Sequence, residues 1–452
     1  MRTLSGTNQV EVVEGWQQNM QDSPVQRALL LAVELPETRE EFRPSLAELR
    51  RLVKTLGYEV VGQITQSRSS LAAAAVVGEG KLKELVELTT GAPPVEDEKS
   101  ERERAREKEE IEPLVELVAV DHELSPSQLR NLERATGTDV LDRTGVIIEI
   151  FHRHAKSREA RLQVELARLR YAAPRLRESP RGKQRQQGRG AGESQLELDR
   201  RKIRDRIAEL REQLEAVQRE QAVRRAQRSS ERRVALVGYT NAGKSSLMRG
   251  LTASDVYVEN KLFATLDTTV RALAPAVGPR ILVSDTVGFI RKLPHDLVAS
   301  FKSTLDEALN ASLLLHVVDA SDPAWQSQLE VTREVLAEIG ASAVPSRIVM
   351  NKLDLVTPEE REQLQAAFPD AWFISAHAPL DVAQVRDDIR QFFEAAYIEA
   401  ELLVPYAAQR LVSELHELGR VLEERYEEQG VAVRVRALPE DIRRVQSRLS
   451  QT

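Results

Sequence analysis

Eight consecutive residues, Gly238-Tyr239-Thr240-Asn241-Ala242-Gly243-Lys244-Ser245, place two glycines ahead of a lysine and a hydroxyl. Glycines at this spacing let backbone N–H groups curl around phosphate oxygens, and a helix opening at the lysine adds a favourable dipole. Lys244 would reach the β- and γ-phosphates of a nucleotide, Ser245 would ligate Mg²⁺, and Ser246 follows in the same turn. Asp285-Thr286-Val287-Gly288 supplies the complement. Its carboxylate would hold the magnesium through a water, and the Gly288 N–H would sense the γ-phosphate.

Asn351-Lys352-Leu353-Asp354 lies 107 residues beyond Lys244 (351 − 244). A carboxylate at Asp354 can accept from both the ring N–H and the amino group of guanine. Adenine lacks that pair of donors and would leave the carboxylate unmatched in a dry pocket. Ser375-Ala376, with His377 beside them, would lean on the base from the other side. This set, in this order, predicts a switch that binds GTP and hydrolyses it to GDP, with Lys244, Thr265 and Gly288 as candidate catalytic groups.

Thr265 comes from an effector loop, LFATLDTTV, that also offers Thr268 and Thr269. The apolar lead Leu262-Phe263 can anchor the loop and present the residue just after, so Thr265 joins Ser245 as a metal ligand. Phe263, Ala264, Leu266 and Asp267 then flank the nucleotide. Many GTPases carry a water-orienting glutamine directly after the D-x-x-G glycine. Here Phe289 holds that place, so turnover by the isolated chain should be slow and completed by a partner or a second group. Asn241 is either a ligand for a monovalent cation such as K⁺ or a loop-stabilising amide. His295, His316 and His377 lack partners at ligand spacing and read as loop or core residues.

The elements that position these residues read as a multidomain α/β chain. At 452 residues one core is exceeded. Residues 1–25 read as a loose extension and 26–156 as an N-terminal α/β domain. Within the latter, strands are expected at 28–34, Tyr58–Ile64, Ala73–Val77, Leu114–Val120 and Val146–Phe151. Helices are expected from Ser45, which would cap one, to Leu56, at Lys81–Leu88, and after a Ser125 cap. A charged insertion at 91–112 has no apolar anchor. Residues 157–229 read as a helical hairpin, because Leu162, Val164, Leu166 and Leu169 can pack on a stripe of Leu196, Ile203, Ile207, Leu210, Leu214 and Val217. A doubly wound nucleotide-binding domain spans 230–398. A small α/β unit at 399–452 combines strand LLVPY, a helix from Ala407 to Tyr426, strand VAVRVRA and an amphipathic tail.

Net charge is −7, yet Arg168 to Gly192 holds eight basic residues against one acid, Glu178. Arg175, Arg177, Arg181, Lys183, Arg185 and Arg189 therefore form a candidate RNA-binding tip on the hairpin. There is no cysteine, which fits a reducing compartment. No signal peptide or membrane-spanning run is seen, so a cytoplasmic, monomeric protein is expected, free or loosely membrane-associated.

Several stretches resemble the HflX GTPases of the Obg-like group: DHELSPSQLRNLER (121–134), DRTGVIIEIF (142–151), LQVELARLRY (162–171), GESQLELDRRKIRDRI (192–207), GYTNAGKSSL (238–247), LFATLDTTVR (262–271) and DTVGFIRKLPHDLVASFKSTL (285–305). That resemblance implies binding to the large ribosomal subunit near its peptidyl-transferase region and splitting of idle or stalled ribosomes under stress. It places the basic tip at the site of contact. The chain departs from the pattern with Gly190-Ala191-Gly192-Glu193 for G-P-G-E, Ser246 for threonine, and His377-Ala378-Pro379 after Ser-Ala. Two other functions stay open: an rRNA remodeller, with ATP used through the N-terminal domain, and a signalling switch whose helices bind proteins.

Overall fold

A computed structural model describes residues 26–91, 114–176, 195–226, 232–253, 262–263, 268–275, 279–292 and 302–450. The 1–25 extension lies outside these residues, as does the 91–112 insertion beyond Gly91. The chain divides into two compact units after Ile150.

The first unit runs β1 (Arg27–Glu34), α1 (Arg39–Thr55), β2 (Glu59–Ser67), α2 (Glu79–Thr90), β3 (Leu117–Val120), α3 (Pro126–Thr136), β4 (Asp139–Asp142) and the start of α4 (Arg143–His154). Its strands form a parallel sheet in the order β2-β1-β3-β4. Both faces of such a sheet are covered, so β1 and β3 are continuous apolar runs around a core of Leu29, Leu31, Val33, Val118 and Val120. Ser125 caps α3 as expected, in a reciprocal pair with Gln128.

Three expectations fail here. Ser45 is not a cap: α1 begins at Arg39, Pro44 lies inside it, and Ser45 is buried with its hydroxyl donating to Asp121 at 2.6 Å. Arg143, 2% exposed, completes that cluster by pairing with Asp121 at 2.7 Å and with Glu48. Two carboxylates and a hydroxyl are what make a buried guanidinium tolerable. The second failure is Val146–Phe151, which lies within helix α4 rather than a strand. The Asp142 carboxylate accepts from Gly145 N at 2.8 Å and starts the helix, in which Val146, Ile147, Ile148, Ile150 and Phe151 are all buried. Packing thereby overrides the β-branched composition. Third, Ala73–Val77 forms only an isolated bridge between Ala75 and Val77, with Val76 at φ 68°.

In the second unit α5 (Arg158–Ala172) and α6 (Gln195–Ala226) lie side by side. Arg206 donates to Glu165 at 2.8 and 2.9 Å, while Arg200 and Arg204 reach the level of Ala173 and Pro174, so the helices run antiparallel. A six-stranded sheet follows: β5 (Arg232–Val237), α7 (Lys244–Thr252), β6 (Thr269–Ala272), β7 (Ile281–Asp285), α8 (Lys302–Leu309), β8 (Leu313–Asp319), α9 (Trp325–Glu338), β9 (Ser346–Asn351), α10 (Pro358–Ala367), β10 (Trp372–Phe373) and α11 (Pro379–Glu394). The order is β10-β9-β8-β5-β7-β6, parallel except for β6. Val234, Leu236, Val283, Leu315 and Val349 fill its core.

The last segment has β11 (Ile398–Val404), α12 (Arg410–Leu418), β12 (Arg420–Glu427), β13 (Gly430–Ala437) and α13 (Pro439–Leu449), with antiparallel order β11-β13-β12. The expected helix to Tyr426 is therefore wrong beyond Leu418. Gly419 sits where a Cβ would come within 2.5 Å of Arg436 O, and the charged run after it becomes a strand. Its Arg425 pairs with Glu401 at 2.5 Å, and Arg434 with Glu399 at 2.5 Å, so the exposed face carries a ladder of opposite charges.

Candidate functional site

The loop between β5 and α7 is built on backbone conformations that side chains resist. Gly238 has φ 150° and Gly243 φ 95°, and a Cβ would meet Val317 O at 2.2 Å on the first and Asn351 Nδ2 at 2.1 Å on the second. Asn241 holds φ 63° between them. α7 opens at Gly243 without a side-chain cap, leaving its first N–H groups for an anion. Lys244 is buried, and its Nζ donates to Gly238 O at 3.0 Å and Tyr239 O at 2.9 Å. Burial lowers its pKa to about 8, an effect the nearby Asp285 carboxylate opposes. Ala242 is buried and Ser246 half-buried in the same turn.

Asp285 ends β7 fully buried and accepts from Ser245 Oγ at 2.6 Å. These hard oxygens fit a small divalent cation. Thr286 Oγ1 donates to Leu236 O at 2.7 Å, and Val287 is buried, which fixes the turn into Gly288. Phe289 then forms a parallel bridge with Tyr239: Thr240 N donates to Phe289 O at 2.8 Å and Phe289 N to Gly238 O at 3.1 Å. Arg291 N adds a bond to the Tyr239 hydroxyl at 2.7 Å. The Phe289 side chain is 2% exposed and turned into the core.

On the base side Asn351 links two loops. Its Nδ2 donates to Ala242 O at 2.8 Å and its Oδ1 accepts from Ala376 N at 2.9 Å. Asp354 accepts from Ser375 Oγ at 2.6 Å, and Leu353 N donates to Ile374 O at 3.2 Å. Lys352, at φ 65°, pairs with Asp319 at 2.6 Å. Asp381 accepts from Ser375 N at 2.7 Å. Asp319, Asp381 and the Tyr239 hydroxyl were not singled out from sequence, because nothing local marks a partner tens of residues away. His377 is exposed, and His316 is a buried residue of β8 whose pKa burial lowers to about 4.

Phe263 is buried at φ 57° with its ring 4.6 Å from Phe151, edge to face. Ala264, Thr265, Leu266 and Asp267 lie outside the described residues, as do Arg177, Arg181, Lys183, Arg185, Arg189 and His295. Arg175 is described, and its guanidinium stacks on Tyr171 at 3.6 Å. Beyond it Ala173, Pro174, Glu197, Arg200 and Arg204 line a cleft of about 450 Å³.

Three family models match the chain: GTP-binding GTPase N-terminal over residues 43–152, GTP-binding GTPase Middle Region over 154–228, and 50S ribosome-binding GTPase over 233–352. The chain is 60% identical to a GTPase HflX of Gluconacetobacter diazotrophicus, covering 94% of this chain and 98% of that protein. It is 39% identical to the GTPase HflX of Escherichia coli, covering 90% and 93%. Among solved structures it is similar to a GTP-binding protein from Sulfolobus solfataricus in complex with GDP, at 25% identity and TM-score 0.41, covering 81% of this chain and 98% of that one.

Proposed function

This chain belongs to the HflX family of GTPases, and from that premise we propose that it couples GTP hydrolysis to binding the large ribosomal subunit and splitting idle or stalled ribosomes. The observation that carries the reading is the hairpin. Arg200 and Arg204, one helical turn apart on α6, line the cleft beside Pro174 and have no ion-pair partner among the described residues. Unpaired guanidinium groups at the base of a basic tip suit phosphodiester contacts, which release counterions on binding. The family model named for 50S ribosome binding, matching 233–352, supports the same partner.

At the nucleotide the proposed roles are these. Backbone N–H groups at the start of α7, from Gly243 to Ser246, and the Lys244 ammonium hold the phosphates, and Asp354 reads guanine while Ser375 orients it. Ser245, Asp285 and Thr265 would hold Mg²⁺, which supplies charge neutralisation between the β- and γ-phosphates. Asn241, which Gly238 and Gly243 hold in a left-handed turn, is proposed as a K⁺ ligand, tested by comparing turnover in K⁺ and Na⁺. We place the protein in the cytoplasm, acting as a monomer during stress.

Sedimentation of 70S ribosomes with the protein and GTP, GDP or a non-hydrolysable GTP analogue tests the reading. Subunits should separate with the triphosphate forms and not with GDP. Undisturbed 70S peaks under all three would remove the splitting function.

A further inference from the structure

The hydrolytic step lacks a group to orient water at the expected place, since Phe289 is buried and apolar. A different side chain stands at the γ-phosphate end of the loop. Thr240 is 6% exposed, and its Oγ1 makes no hydrogen bond among the described residues. A buried hydroxyl without a partner is costly and marks a place where a ligand atom completes the structure. Its position is fixed by its neighbours. A Cβ built on Gly288 would lie 2.8 Å from Thr240 Cα and Cγ2, and 3.1 Å from Lys244 Nζ. Thr240, the glycine of D-x-x-G and the loop lysine thus converge on one point. The Thr240 N–H is already committed to Phe289 O at 2.8 Å, which leaves the hydroxyl as this residue's free group.

We propose that the Thr240 hydroxyl orients the attacking water, taking the part that a glutamine side chain plays in other GTPases. A hydroxyl has one donor and two acceptor sites, so it can donate to a γ-phosphoryl oxygen while accepting from the water. The water oxygen bonds to the γ-phosphorus as the bond to the β–γ bridging oxygen breaks, and that electron pair stays on GDP. The water proton passes to a phosphoryl oxygen, since a threonine hydroxyl is too weak a base to take it. The bridge between Tyr239 and Phe289 holds the Thr240 backbone beside Gly288, so the residue is in place before the nucleotide arrives. The inference rests on GTP hydrolysis alone and is independent of the ribosomal reading.

The test uses the full chain without ribosomes, comparing Thr240→Val, which keeps the shape, with Thr240→Ser, which keeps the hydroxyl. Single-turnover GTP hydrolysis, GDP affinity and affinity for GDP with aluminium fluoride are measured. The valine variant should lose on the order of tenfold or more in rate and bind the fluoride complex correspondingly less well. It should bind GDP, which has no γ-phosphate, within about threefold of the parent. The serine variant should recover most of the rate. A valine variant hydrolysing at the parent rate would overturn the proposal. So would a loss of GDP affinity in parallel with rate, because that would show a loop-shaping role.

Discussion

The parallel four-stranded sheet and the mostly parallel six-stranded sheet both gather polar residues at the carboxyl ends of their strands, the edge where open α/β sheets bind ligands. In the four-stranded sheet those residues answer one another. Asp121 follows β3, Arg143 follows β4, and Ser45 and Glu48 on α1 close the cluster, all of them buried. In the six-stranded sheet the edge is arranged for something else. Gly238 and Gly243 bend the chain away from conformations other residues accept, Lys244 is held with a lowered pKa, and the Thr240 hydroxyl has no partner among the described residues. The same architecture therefore yields a structural lock in one place and a binding site in the other. What separates them is that the buried charges of the first are matched by opposite charges within the fold.

Removing the centre of the lock gives the largest expected effect. Arg143→Met leaves Asp121 and Glu48 buried without their cation and should cost about 3–5 kcal/mol of stability in chemical denaturation. The folded variant should bind GDP as the parent does. A loss below about 1 kcal/mol would mean that the cluster is not a lock.

Lys244 should show the opposite behaviour, being strained until a ligand arrives. Its pKa is about 8 in the fold against an ordinary 10.5, so between those values the unfolded chain binds more protons than the folded one. Stability of the nucleotide-free protein should therefore rise as pH increases from 8 to 10.5, by up to about 3 kcal/mol from this group. Subtracting a parallel series on Lys244→Met isolates the contribution. Bound GDP should flatten it, since phosphates favour the ammonium; an identical slope with and without GDP would detach Lys244 from the phosphates.

Asp354→Asn should weaken GTP by on the order of 2 kcal/mol, or roughly thirtyfold in Kd, and shift preference toward xanthosine triphosphate. Equal GTP affinity in the variant, read by titration calorimetry, would place the base elsewhere.

How far the chain could be read from its residues follows the same division. The bend of the loop from Gly238 to Gly243 was legible because strained backbone needs glycine, and glycine is visible. The Ser125 cap was legible because its partner Gln128 is three residues away. Ser45 was misread because its partner is Asp121, and Val146–Phe151 because a β-branched run says nothing about the carboxylate of Asp142 that begins a helix before it. The strand at Arg420–Glu427 has a helix-favouring composition, and the approach of Gly419 to Arg436 and the ion pair of Arg425 with Glu401 on another strand account for it. Asp319 and Asp381 belong to the same class, serving the site through contacts that chain spacing does not announce.

The smallest effect concerns how two helices begin. α3 closes its own first turn, with Ser125 Oγ accepting from Gln128 N at 3.2 Å and the Gln128 side chain accepting from Ser125 N at 3.0 Å. α7 begins at Gly243 with no side-chain cap and leaves that turn to a ligand. Ser125→Ala should therefore cost about 1 kcal/mol, and Ser125→Gly only a few tenths, because glycine leaves the cap backbone open to water. Denaturant midpoints at constant m-value would read both. Saturating GDP should stabilise the parent and the Ser125 variants by equal amounts, since the two helix starts share no residue and such effects add. If the alanine variant matched the parent, the cap in α3 would be idle, and the contrast between a helix start closed from within and one left for phosphate would lose its thermodynamic content.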